Sequence, residues 1–197
     1  MPDALGVIDD VRLDRGHSLP DTPADSRRVQ GLDLAGLVAH IVSRYHAFAR
    51  SELVRLRGLV AEAREQEGAA RPDLRTVAAL VVQLESEVLR HVIIAERVLF
   101  PHIIELEMRA RTGNRRPHVE LETSVNPLRT MMKEQGHADA TLEALRSACD
   151  DYVPPATAKP ATVLVYEGLA ELDRMLRHHA HLESSVLFRR AIEIERS

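Results

Sequence analysis

Four long stretches with apolar residues at helical spacing, each ended by glycine or proline, constrain this chain more than any other feature. The first spans about 33–66, with Asp33 placed to cap it and Gly68 to stop it. The second spans 73–112 and ends at Gly113 and Asn114; Pro101 inside it predicts a kink. The third spans 126–151, with Pro127 in a favoured first-turn position, and the run YVPPATAKP blocks its continuation. The fourth spans 161–195. No alternating apolar run bounded by turn residues competes for a strand. Connections of roughly 5–12 residues suit antiparallel neighbours. The predicted fold is all-α: an up-down-up-down four-helix bundle over residues 32–197. Residues 1–31 mix Pro, Gly, Asp and Arg without a period and are expected to form a flexible N-terminal tail.

At 197 residues the chain is long enough for one domain with a sizeable core. A net charge of −4, with both signs interspersed, argues against nucleic acid or an anionic membrane as the main partner. No run of about 18 apolar residues predicts a membrane span. The N-terminal segment is acidic and lacks the apolar stretch of a signal peptide. Cys149 is the sole cysteine, which excludes a disulfide framework and a thiolate metal cluster, and reads as a passive thiol. The expected location is cytoplasmic.

Ten histidines are many for this length. His179 and Glu183 are four residues apart and share one helix face with Leu172, Met175, Leu176, Leu182 and Val186. Unpaired polar groups on a buried face cost several kcal/mol, so this pair needs a partner, and a metal ion is the leading candidate. His46 shares a stripe with Ala35, Ala39, Val42, Ala49, Leu53 and Val60. His91 shares one with Leu84, Val88, Ile94, Ala95 and Val98, and with Glu87. On the third helix the inward stripe is Leu128, Met131, Met132, Gln135, Ala138, Asp139 and Leu142, which aims Gln135 and Asp139 at the centre. His137 falls instead on a polar face with Thr130, Lys133, Glu134, Ala140, Thr141 and Ala144. A lone inward histidine is usually a hydrogen-bonded core residue. Three of them on three helices, with a carboxylate, read as a metal site, and ligands without sulfur suit iron, manganese or zinc.

The stretches HIVSRYHAFARSEL, LESEVLRHVIIAERVLFPHI, VNPLRTMMKEQGHADATLEALR and ELDRMLRHHAHLESSVLFRRA together resemble the hemerythrin-like superfamily, and more closely its di-iron iron–sulfur cluster repair family. The resemblance covers about residues 34–192. It implies a di-iron centre held by one His on the first helix, H-x-x-x-E on the second, one His on the third and H-x-x-x-E on the fourth. His46, His91, His179 and Glu183 match four of these positions. Two positions depart: the second-helix glutamate, a bridge between irons in the family, is Ala95, and the third-helix histidine falls on Gln135 when Glu134, Leu142 and the double proline are held in register. His137 would restore a histidine only in a register that turns its helix away from the core.

A missing bridging carboxylate removes a charge and a ligand from each iron, so the expected complement is one or two ions, with a rearranged one-ion site favoured. Gln135, Asp139, Glu87 and Glu96 are the possible substitutes, although Glu96 lies five residues from His91, about 140° around an ideal helix. The family's N-terminal module with adjacent cysteines has no counterpart in this sequence, so functions needing those thiols are not expected of it. The resemblance implies a non-haem iron protein of the nitric oxide and oxidative stress response, or of iron–sulfur cluster repair. An open His/carboxylate site would take NO, O₂ or peroxide, and iron–sulfur proteins would be its partners. It assigns no enzyme class. The alternative is a metal-poor bundle serving as a binding or regulatory module, its core histidines hydrogen-bonded to Glu183 and Gln135.

Overall fold

The computed structural model describes residue 29 and residues 31–113 and 121–196; the side chains of 121–130, 132, 134 and 196 fall outside that description. Residues Leu32–Ser197 form a unit distinct from the segment before them. The predicted tail lies outside the described residues, apart from 29 and 31.

The Leu32–Ser197 unit is a four-helix bundle, and each predicted helix is present. Helix α1 (residues 34–67) begins as Leu34–His40, passes through a π-helical turn at Ile41–His46 and continues as Ala47–Glu67. Helix α2 (residues 73–112) runs through Asp73–Ile94, a π segment at Ala95–Leu99, and Phe100–Thr112. Helix α3 is Leu121–Ala148. Helix α4 (residues 160–196) runs through Pro160–His181, a π segment at Leu182–Phe188, and Arg189–Arg196. Helix α1 packs against α2 and α4, α2 packs against α3, and α3 touches α4. No strand occurs among the described residues.

The ends of the helices follow from local chemistry. Asp33 caps α1, its Oδ1 accepting from Gly36 N at 2.8 Å. Gly113 closes α2 in the left-handed region (φ 66), a conformation glycine adopts without a Cβ clash. Two further caps come from distant carboxylates. Glu107 of α2 accepts from Leu34 N at 3.0 Å and Ala35 N at 3.1 Å, and Arg111 links it to Asp33. Glu67, at the end of α1, accepts from Lys159 N at 3.1 Å and from the Thr162 hydroxyl at the start of α4. Both place negative charge at a helix N-terminus, where it is favoured, and both tie neighbouring antiparallel helices together.

The core forms two apolar layers. One gathers Leu53, Leu56, Leu84, Leu142, Leu145 and Leu169. Towards the other end Leu34, Leu37, Ile41, Phe100, Ile103 and Leu187 are buried. Each leucine of this kind contributes about 1.5–3 kcal/mol by leaving water. His46, His91 and His179 lie in α1, α2 and α4 between these layers, so the polar centre has apolar walls above and below.

Three expectations need correction. First, Ala39 and Val98 were placed on inward stripes, but both are exposed, Val98 by 51%; Leu37, Val38 and Leu99 are buried instead. A π turn holds more residues than an α turn, so the inward face shifts by a residue across Ile41–His46 and Ala95–Leu99. Second, the irregularity expected at Pro101 falls just before it, as the π segment Ala95–Leu99. The proline sits in the first turn after that segment, where a missing N–H costs little. Third, α3 starts at Leu121, so Pro127 lies inside the helix rather than in its first turn; a helix backed by packing can continue through a proline. Leu128 and Met132, expected on the inward stripe of α3, lie outside the described side chains, whereas Met131 is fully buried.

Candidate metal centre

The π segments sit beside the residues that matter. His46 ends the one in α1, Ala95 begins the one in α2 four residues after His91, and Glu183 lies within the one in α4. Extra-residue turns of this kind re-aim side chains and are frequent at functional sites. The result is a convergence from three helices: His46, His91, His179 and Glu183 are all buried, and each offers a ligand atom within 4.8 Å of the others.

Glu183, fully buried, is the hub. Its Oε1 is 3.1 Å from His179 Nε2 and 3.8 Å from His46 Nε2, and its Oε2 is 3.1 Å from His91 Nε2. His46 Nε2 and His179 Nε2 approach to 3.1 Å. Burial pushes the Glu183 carboxyl upward, but His179 first, with His46 and His91 adding, holds it well below the usual carboxylate range. The centre is therefore a buried anion ringed by imidazole nitrogens. Among the described residues, both ring nitrogens of His91 and Glu183 Oε1 are buried without a partner in hydrogen-bonding geometry, the 3.1 Å contacts of His91 Nε2 and Glu183 Oε1 included. Orphaned buried donors and acceptors each cost about 1–3 kcal/mol. A cation placed among Nε2, Nε2, Nε2 and the carboxylate would take up those lone pairs and separate the two facing imidazoles. The residues present fit a metal ion.

The surroundings fix the ring orientations. The carboxylate of Glu96 accepts from His46 Nδ1 at 2.8 Å, which puts the proton on Nδ1 and leaves the Nε2 lone pair facing inward. Arg50 NH2 holds the other Glu96 oxygen at 2.8 Å. Burial would raise Glu96, but these bonds from Arg50 and His46 bring its carboxyl below the usual range. The His46 ring also lies flat against Phe100, with centroids 5.6 Å apart and planes 11° apart. Tyr45, buried beside His46, stacks on His178 and His179 at 5.6 and 6.0 Å.

Helix α3 contributes an amide. Gln135 Nε2 donates to Glu183 Oε2 at 3.0 Å. A cavity of about 30 Å³ lies alongside, lined by His46, His91, Gln135, Asp139 and His179 and by apolar side chains that include Val88 and Leu142. That volume holds a water or another very small molecule.

The four residues read most directly from the sequence thus come together. Of the other candidates, Gln135 joins the centre through Glu183, and Asp139 is exposed and lines the cavity. Glu96 stands behind His46. On an ideal α-helix Glu96 would lie about 140° around from His91; the π segment beginning at Ala95 changes that angle. Glu87 is engaged elsewhere, accepting from Gln83 Nε2 at 3.0 Å and the Thr141 hydroxyl at 2.8 Å, in a cleft that exposed His137 also lines. Thr141, read as outward, is buried there. The Glu134 side chain lies outside the described residues. Burial pushes the Cys149 thiol up to about 11, so at neutral pH it is a protonated core residue.

A four-helix bundle with a buried three-histidine, one-carboxylate centre defines a class, and the sequence comparison agrees: the pattern of the Hemerythrin HHE cation binding domain matches residues 37–191, and the chain belongs to that family. It is similar to the iron-sulfur cluster repair protein ScdA of Staphylococcus haemolyticus, 28% identical over 186 residues that make up 94% of this chain and 78% of that protein. It is 31% identical over 175 residues to the iron-sulfur cluster repair protein YtfE of Edwardsiella ictaluri, covering 88% of this chain and 73% of the other. A probable iron-sulfur cluster repair protein of Haemophilus influenzae is 28% identical over 158 residues, covering 80% and 65%. Among the described residues no helix is long and apolar enough to cross a membrane.

Proposed function

We propose that this chain is a hemerythrin-like iron protein that supports the repair of iron–sulfur clusters damaged by nitric oxide or oxidants. His46, His91, His179 and Glu183 are its metal ligands. The observation that carries this reading is the buried convergence of three imidazole nitrogens on one carboxylate, with polar atoms left unpartnered at its centre. Ferrous iron bound by such residues supplies a redox-active Lewis acid with open positions for a small donor such as NO, O₂ or peroxide. The names of the relatives point to cluster repair, and the small cavity suits a diatomic or peroxide-sized ligand over a larger substrate.

The chain's own groups have distinct tasks. Glu96, backed by Arg50, holds His46 in one tautomer and orientation. Gln135 fixes the Glu183 carboxylate from α3. Val88, Val92, Leu142 and Leu176 line the cavity with apolar surface. Damaged iron–sulfur proteins would be the partners.

Two outcomes are expected. Added anaerobically with ferrous iron to a nitric-oxide-inactivated iron–sulfur hydratase, the full chain restores hydratase activity faster than iron alone, and His179→Ala removes that gain. Equal recovery with and without the chain contradicts the repair role. Glu96→Ala lowers ferrous iron affinity about 10–100-fold, as loss of an outer histidine partner does. The metal-free fold also loses about 1–3 kcal/mol, because the buried His46 Nδ1 is left without its acceptor. Chelator competition measures the first effect, and an unchanged affinity would remove Glu96 from the site.

A further inference from the structure

We infer that the centre is built for a single ion, with Gln135 occupying the place where a two-ion site would put its third-helix ligand. This rests on the metal-binding reading above, and the observations are the spacing of ligand atoms, the charge balance and the Gln135 contact. The four nearest ligand pairs lie at 3.1, 3.1, 3.1 and 3.8 Å: His46–His179, His179–Glu183, His91–Glu183 and His46–Glu183. Atoms bound at about 2.1 Å to a common ion lie roughly 3.0–3.4 Å apart, the edges of an octahedron or tetrahedron. Two ions about 3.5–4 Å apart spread their outer ligands to roughly 5–7 Å. Here every ligand atom of the cluster is within 4.8 Å of every other, short of that spread; one ion, whose shell is about 4.2 Å across, would draw the widest pair in slightly.

Charge leads to the same count. Among the described residues, Glu183 is the only carboxylate in the cluster. Position 95, where the resembling pattern places a bridging glutamate, is a fully buried alanine. The neighbouring Glu96 is already neutralised by Arg50 and bonded to His46. One divalent ion would leave one excess positive charge in this buried site; two would leave three, which apolar walls resist strongly.

Gln135 closes the argument. Its amide nitrogen faces Glu183 Oε2 and donates to it at 3.0 Å. The N–H groups thus point to the oxygen that a second cation would share. Gln135 is a positioning residue: it holds Oε2 in place so that the carboxylate serves one ion.

The test is the number of ions per chain. The full protein is loaded anaerobically with excess ferrous iron, and separately with Zn²⁺, and weighed by native mass spectrometry. One ion per wild-type chain is expected, rising to two in the Ala95→Glu/Gln135→His double variant. Gln135→Ala, which removes the amide without adding bulk, keeps one ion and binds it about tenfold more weakly. Two ions in the wild type, falling to one in Gln135→Ala, overturn the inference while leaving the metal site intact. A folded double variant that still takes one ion overturns the role given to positions 95 and 135. No ion in any form would defeat the metal-binding reading itself.

Discussion

Exchanging Glu183 for glutamine lowers ferrous iron affinity by more than about 100-fold, beyond the 10–100-fold typical of losing an outer partner. The substitution keeps the volume of a fully buried side chain, so the fold is retained. What it removes is the only negative charge among the described cluster residues and the oxygen pair around which three imidazoles are arranged. A neutral amide can offer one oxygen but no charge to offset the ion. The same variant changes the acid limb of the metal-free protein. Glu183 has a folded pKa well below its ordinary value, set by His179, His46 and His91 against the opposing effect of burial. A depressed carboxyl stabilises the fold above its unfolded pKa, and that stability is lost as pH falls toward the folded value. Glu183→Gln lacks this loss, so its denaturant midpoint declines less steeply through the acid range. Equal iron affinity in the two proteins, or identical acid limbs, would contradict the role assigned to Glu183.

The second large effect lies away from the centre. Glu107→Ala destabilises the metal-free bundle by about 2–3 kcal/mol, because it strands the Leu34 and Ala35 N–H groups and removes an anion from a helix N-terminus. For a domain of this size that corresponds to a melting temperature lower by roughly 4–10 °C. Glu107→Gln retains a carbonyl oxygen for one of the two N–H groups and loses about half as much. Guanidinium unfolding of both variants measures this, and an alanine variant within about 0.5 kcal/mol of wild type would show the cap to be idle. The contact also concerns the site, because the turn it anchors leads through Ile41 directly into the π segment that ends at His46.

The candidate ligands were legible in the sequence because helical period and burial are coupled: a histidine on the stripe of Ala49 and Leu53, or of Leu84 and Val88, has to face inward. The helix ends were legible where they rest on local chemistry, as at Asp33 and Gly113. Gln135 was found by holding Glu134, Leu142 and the double proline in register, and the structure aims it at Glu183. What stayed hidden depends on geometry that a fixed 3.6-residue period cannot express. An α-helical period carried across Ile41–His46 or Ala95–Leu99 places Ala39 and Val98 inside, where the structure exposes them, and turns Glu96 away, where the π segment delivers it to His46. The Glu107 cap joins residues 73 apart in the chain and the Glu67–Thr162 cap residues 95 apart, so no local pattern announces either. Thr141 became a core residue only because Glu87 and Gln83 meet it across the α2–α3 interface.

The most direct measurement is X-ray diffraction at the iron absorption edge from crystals of the anaerobically iron-loaded protein. The account predicts an anomalous peak enclosed by His46 Nε2, His91 Nε2, His179 Nε2 and the Glu183 carboxylate. A fully loaded protein whose iron lies elsewhere, with these four side chains still joined only to one another, would contradict it.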